Sequence, residues 1–138
     1  MDVQKINDLF NKYTITSETD VKGLITYVSQ PFIDISGYSK EELLGCNHRL
    51  IRHTDMKDDV FKEMWRIITN KQIWSGEVKN RKKNGGYYWV ESVVFPIISG
   101  DKIVGYKSIR VDITARKKEG EILNSLMGED QSVDSLLE

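Results

Sequence analysis

The stretch Trp74-Ser75-Gly76-Glu77-Val78-Lys79-Asn80-Arg81-Lys82-Lys83-Asn84-Gly85 holds the side chains best suited to binding chemistry. Strand alternation puts Trp74, Gly76, Val78 and Asn80 on one side, and Glu77, Lys79 and Arg81 on the other. The second set reads as a solvated face. The first combines a large aromatic, a position with no side chain and an amide. That is odd for a plain core and suits a wall against something flat and polar. The bland alternative, a core Trp and a turn-side Asn bonded to backbone, stays open on these residues alone. Six residues of strand separate Trp74 from Asn80 by roughly 20 Å. They cannot both grip a small ring, but they suit opposite ends of a long ligand, or a ligand and a pocket edge.

Binding is favoured over catalysis. The chain has no Gly-x-Ser-x-Gly, no phosphate loop and no metal-ligand pair at helix spacing, so the expectation is a non-enzyme. Asp55, Asp58 and Asp59 cluster at a helix start, where acidic residues favour the helix dipole. Cys46 is the only cysteine, which excludes disulfide scaffolds and cysteine zinc sites and fits a reducing, cytoplasmic setting. Twenty basic against 21 acidic residues leave a net charge of −1 and no global pull toward nucleic acid or anionic membrane. The basic run Lys79, Arg81, Lys82, Lys83 therefore reads as a solvated strand face and turn. No apolar run approaches the roughly 20 residues of a membrane span.

The elements that must position these residues follow from periodicity. Val3, Ile6, Leu9 and Phe10 give an amphipathic N-terminal helix over 1–13, suited to a cap or a dimer contact. Ile15–Thr19 and Leu24–Val28 form a hairpin. A short helix spans Gln30 to Tyr38, ending near Gly37. Ser39 and Glu42 make a capping box for another, through Leu44. Residues 46–57 are irregular and polar, and hold both His48 and His53. Asp58 or Asp59 caps a longer helix with the apolar stripe Phe61, Met64, Trp65 and Ile68. Three strands follow, Ile73–Lys82, Tyr87–Ile98 and Ile103–Ile113, the first two joined at Asn84-Gly85. A charged helix runs from Ala115 through Leu126, and an acidic, frayed tail closes the chain over 128–138. The order implies an α+β fold: a five-stranded antiparallel sheet, short helices packed on one face, flanking N- and C-terminal helices, and a ligand cavity between sheet and helices.

These residues resemble the PAS domain family over roughly residues 15–114. Leu24-Ile25-Thr26-Tyr27-Val28-Ser29, Phe32 and Ser36-Gly37-Tyr38-Ser39 resemble its first half. Gly45, the Asn84-Gly85 turn and Asp112-Ile113-Thr114 resemble its second. The resemblance divides the chain into a cap helix (1–13), a sensor domain (14–114) and an outgoing helix with tail (115–138). Arg52-His53-Thr54-Asp55-Met56, Phe61 to Trp65, Trp74 to Gly85 and Tyr88-Trp89-Val90 are similar to the aerotaxis-receptor type. That type binds FAD non-covalently and senses redox state or oxygen. By resemblance, Arg52, His53, Asp55, Trp74 and Asn80 would contact or shape the flavin pocket, with Phe61 and Trp65 helping to line it. Arg52 could pair with the diphosphate through its planar fork, or be a surface Arg bonded to Asp55 or Asp58. His53 could bond the flavin, switch protonation, bond backbone, or ligate haem. His48 is assigned a structural role.

The chain departs from the family's usual residues at Thr54 and Lys57, where prolines are common, and at Ser29, where Asn is common. Gly45-Cys46-Asn47-His48-Arg49 aligns with the Gly-x-Asn-Cys-Arg pattern of light-sensing relatives. His48 holds the nucleophile position, which argues for redox rather than thiol photochemistry. The resemblance implies an oxygen- or redox-sensing module acting as a homodimer on a chemoreceptor, histidine kinase or other output protein. A cofactor-free dimerisation module and a haem sensor through His53 are the alternatives. No nucleic acid and no membrane insertion are expected.

Overall fold

Alternation and turn chemistry build one sheet. The computed structural model describes the backbone of residues 2–137 and the side chains of 2–128. Strands β1 (Ile15–Thr19), β2 (Ile25–Val28), β3 (Trp74–Arg81), β4 (Tyr87–Ser99) and β5 (Lys102–Asp112) pair antiparallel in the order β2-β1-β5-β4-β3. The β3–β4 hairpin turns where expected. Gly85 sits at φ +91°, the left-handed region that favours glycine, and the Lys82 N–H donates to the Gly86 carbonyl at 2.8 Å.

Helices α2 (Gln30–Ser36), α3 (Lys40–Leu43) and α4 (Asp58–Thr69), with a 3₁₀ turn at His48–Ile51, lie in the long connection between β2 and β3. They bury Phe32, Leu43, Ile51 and Ile68 against Trp74, Val78, Tyr88 and Val90 of the sheet. This is the α+β architecture the periodicity implied. The capping box at Ser39 and Glu42 is present. Lys57, not Asp58 or Asp59, occupies the N-cap of α4, and both aspartates fall in its first turn, where they still meet the dipole favourably.

Helix α1 (Val3–Tyr13) contributes nothing to the core, and Val3, Ile6, Leu9 and Phe10 are exposed. Helix α5 runs from Thr114 to Leu137, past Leu126 where its apolar pattern fades. Gly120 and Gly128 weaken a helix by only about 1 kcal/mol each and do not end it. The tail expected to fray over 128–138 lies largely outside the described side chains, and Glu138 outside them altogether.

The start of α5 is clamped to the outer face of the sheet. Thr114 donates from N and Oγ1 to Asp112 Oδ1, at 2.9 and 2.6 Å, and the Trp89 N–H donates to Thr114 Oγ1 at 2.9 Å. Arg116 and Lys117 both donate to Glu77 of β3, at 2.8 and 3.0 Å. Lys117 Nζ also lies 4.4 Å from the Trp89 ring centroid.

Candidate functional site

Register decides which side chains meet between sheet and helices. Ser17 pairs with Ser108, Ser108 with Val94, and Val94 with Trp74, so one cross-strand row spans four strands. A second row runs from Ile15 through Arg110 and Ser92 to Gly76. Inward side chains of these rows line a cavity of about 60 Å³ roofed by the 3₁₀ turn and α4. That is well below the roughly 300–1,000 Å³ of drug-sized ligand sites, so a larger ligand must displace side chains of the roof.

Gly76 is what lets Trp74 lie along the floor. An alanine Cβ at that position would come within 2.7 Å of Trp74 Cζ2. Across the cavity, Trp65 meets Tyr106 edge to face at 5.2 Å, and Phe61 stacks under Arg52, whose Cζ is 3.6 Å from the ring centroid. Aromatic edges and flat faces therefore line much of the space.

Five of the residues singled out by sequence, Arg52, Phe61, Trp65, Trp74 and Asn80, line this cavity. His53 and Asp55 do not. Arg52 bridges Asn80 antiparallel, so it points inward and its neighbour His53 points outward. The His53 N–H donates to the Lys79 carbonyl on β3 at 3.2 Å, and its ring stands edge-on to Tyr87 at 6.4 Å. Its Nδ1 accepts from the Asp55 N–H at 3.0 Å. Asp55 accepts from Lys79 Nζ at 2.8 Å, which lowers its pKa. These two residues belong to the outer surface of β3. Ser29 is spent on structure: its Oγ accepts from the Thr16 N–H at 2.9 Å and donates to the Thr14 carbonyl at 2.8 Å.

The contacts of His48 agree with the structural role expected of it. His48 lines the cavity, and its Nε2 is 2.9 Å from Ser17 Oγ. Burial, with Arg110 and Arg52 nearby, holds its pKa well below the ordinary histidine value, so it is neutral. Cys46 turns away, its Sγ 3.2 Å from the Glu42 carbonyl. No thiol lines the cavity.

Sequence reasoning missed Ser17, Ser92, Ser108 and Arg110. Alternation along β5 could have found Ser108 and Arg110, which share a face with Tyr106, and the same alternation along β4 could have found Ser92, which shares a face with Val90 and Val94. The cavity is rich in polar atoms with nothing to bond. Asn80 Nδ2, Ser108 Oγ, Arg52 Nε, and Arg110 Nε and Nη1 are all buried without a hydrogen-bond partner. No Asp or Glu lines the cavity. At its mouth, between the 3₁₀ turn and α4, Arg49, Arg52 and Lys62 gather beside Asn47, Phe61 and Trp65, with Asp58 the only acid.

An antiparallel sheet with a helix-roofed cavity and an outgoing helix clamped to its outer face defines the class of α+β domain to which this chain belongs. Family comparison makes this specific: the model described as the PAS fold matches residues 25–110, and the chain belongs to that family. It is 40% identical over 111 residues to the aerotaxis receptor of Escherichia coli, covering 80% of this chain and 22% of that protein. It is 32% identical over 126 residues to the bacterioopsin transcriptional activator of Halobacterium salinarum, covering 91% and 18%. The chain thus spans about a fifth of the length of these curated relatives. A crystal structure of a PAS domain from Colwellia psychrerythraea superposes with a TM-score of 0.73 at 26% identity, covering 83% of this chain and 99% of that one. The chain is a PAS domain, a sensory signalling module related to the aerotaxis receptor. Among the described residues, no helix is long and apolar enough to cross a membrane.

Proposed function

We propose that this domain binds FAD non-covalently and reports redox state or oxygen to an output protein. The observation that carries this is the set of buried, unpartnered polar atoms around an acid-free cavity. Buried polar groups in folded proteins are normally hydrogen-bonded. A cofactor-free dimerisation module would have no use for Asn80, Ser108 and Arg110 in this state. A flat ring with several carbonyl and nitrogen acceptors supplies partners for them, with Trp65 and Phe61 as apolar faces, while Trp74, six residues of strand from Asn80, would meet another part of a long ligand. The basic mouth supports FAD over a bare ring, since Arg49, Arg52 and Lys62 suit a diphosphate.

Bound there, the ring would supply reversible electron uptake coupled to protonation. Asn80 would exchange hydrogen bonds as that protonation changes. Its strand carries Glu77 on the opposite face, and Glu77 holds Arg116 and Lys117 of α5. Strain in β3 would thus reach α5 directly, and through Asp112-Ile113-Thr114. The exposed apolar residues of α1 suit a homodimer, and the output protein would be a chemoreceptor or histidine kinase, in keeping with the relatives.

Absorption and extraction of the purified protein test this reading. A flavin spectrum with extractable FAD supports it. A Soret band would replace it with haem. Colourless protein that gains nothing on incubation with FAD would leave a cofactor-free interaction module. Trp74→Ala and Asn80→Ala should lose flavin while keeping the fold, and full occupancy in both would refute this placement.

A further inference from the structure

Arg110 stands near the C-terminal end of β5, the central strand of the sheet, in register with Ile15 on one side and Ser92 on the other. It is 8% exposed, and both Nε and Nη1 lack a hydrogen-bond partner. The Phe32 ring centroid lies 5.7 Å from its Cζ. The titratable and charged groups around it are His48, Tyr88, Tyr106, Arg52, Lys107 and, two residues along β5, Asp112. Burial keeps His48 neutral and raises the pKa of both tyrosines, so Asp112, which accepts from Thr114 and makes no ion pair with Arg110, is the only acid among them. Arg110 takes part in no ion pair among the described residues.

A buried, unpaired guanidinium works against folding. Apolar side chains of similar volume are often neutral or stabilising in such positions. In the ligand-free fold the Phe32 ring, at cation–π distance, offsets only part of that burden. We propose that Arg110 is the counter-charge for an electron-rich ligand, holding the cavity's flavin ring more tightly in its reduced, anionic form than in its neutral, oxidised form. This rests on the FAD reading above. In the reductive step, two electrons come from an external donor (dithionite in the assay, which ends as sulfite). One proton from solvent joins the ring, which is left with a single negative charge, while Arg110 stays protonated. Such differential affinity is what lets a change in redox state shift a conformational equilibrium.

The test uses FAD-loaded wild type, Arg110→Met and Arg110→Lys, with melting of each ligand-free protein. Arg110→Met should melt at or above the wild-type temperature when ligand-free, and it should lose affinity for both redox forms of FAD. It should hold reduced FAD at least tenfold less well relative to oxidised. That appears as a fall in midpoint potential of about 30 mV or more for a two-electron couple. Arg110→Lys keeps the charge and should stay closer to wild type.

Wild type alone gives a second reading, which carries the test if Arg110→Met fails to fold. A tenfold change in proton activity, one pH unit, should move the midpoint by about 30 mV, the slope for one proton per two electrons. Repeating this with His48→Gln removes any proton taken up by the histidine. An unchanged midpoint in Arg110→Met, or a slope near 59 mV with His48 removed, overturns the proposal. Wild type that takes up no FAD fails before any reduction, and overturns the cofactor reading together with it.

Discussion

Substituting Gly76 by alanine should damage the floor of the cavity through one contact. The new Cβ would sit 2.7 Å from Trp74 Cζ2 and 2.9 Å from Cη2, well inside van der Waals separation. The indole is a rigid ring, 8% exposed, with Val78 and Val94 beside it in the lining, so it must swing into the cavity or push the roof outward. Overpacking of this kind costs about 1–3 kcal/mol. At a urea slope of about 2 kcal/mol/M, a loss of about 2 kcal/mol lowers the unfolding midpoint by about 1 M. The intrinsic preference of strands for alanine over glycine works mildly the other way.

Urea unfolding of wild type, Gly76→Ala, Trp74→Ala and the double variant isolates the clash. Truncating Trp74 by itself should cost about 3–5 kcal/mol. In that background Gly76→Ala should be close to neutral, giving a coupling of about 1–3 kcal/mol between the two sites. If Gly76→Ala were equally costly with and without the indole, Trp74 would not lie over Gly76, and the described floor of the cavity would be wrong.

Three further outcomes follow from other contacts. The pKa of folded His48 is depressed, so the unfolded chain takes up the proton first. Stability should be full above about pH 6.5 and fall below it by up to about 1.4 kcal/mol per unit, and urea midpoints should show this slope flattened in His48→Gln. A Cβ at residue 105 would lie 2.3 Å from the Thr19 carbonyl oxygen. Backbone cannot yield as a side chain can, so Gly105→Ala should destabilise by more than about 2 kcal/mol in the same assay. Glu77→Ala should release the first turn of α5, seen as faster amide exchange there. Global stability should change by less than about 1 kcal/mol, because the ion pairs are exposed.

Much of this molecule was legible because its signals are local. The Asn84-Gly85 turn, the Ser39 capping box and the alternation of Trp74, Val78 and Asn80 each depend on a few neighbouring residues. The inward turn of Arg52 and the outward turn of His53 were not legible. They depend on pairing with β3, from a segment that carries no regular period. The partners of His48 were not legible for the same reason: they are Ser17, thirty-one positions away, and arginines on other elements. Arg110 was hidden by its type, since an arginine on a strand near the chain's charged end reads as solvated. Its alternation with Tyr106 and Ser108 along β5 is the signal that turns it inward.

Flavin content tests the proposed FAD site most directly. Protein purified in the dark, or incubated with FAD and desalted, should carry extractable FAD approaching one per chain, with the flavin visible spectrum. Protein that stays colourless after incubation with FAD, while folded and monodisperse, would contradict it.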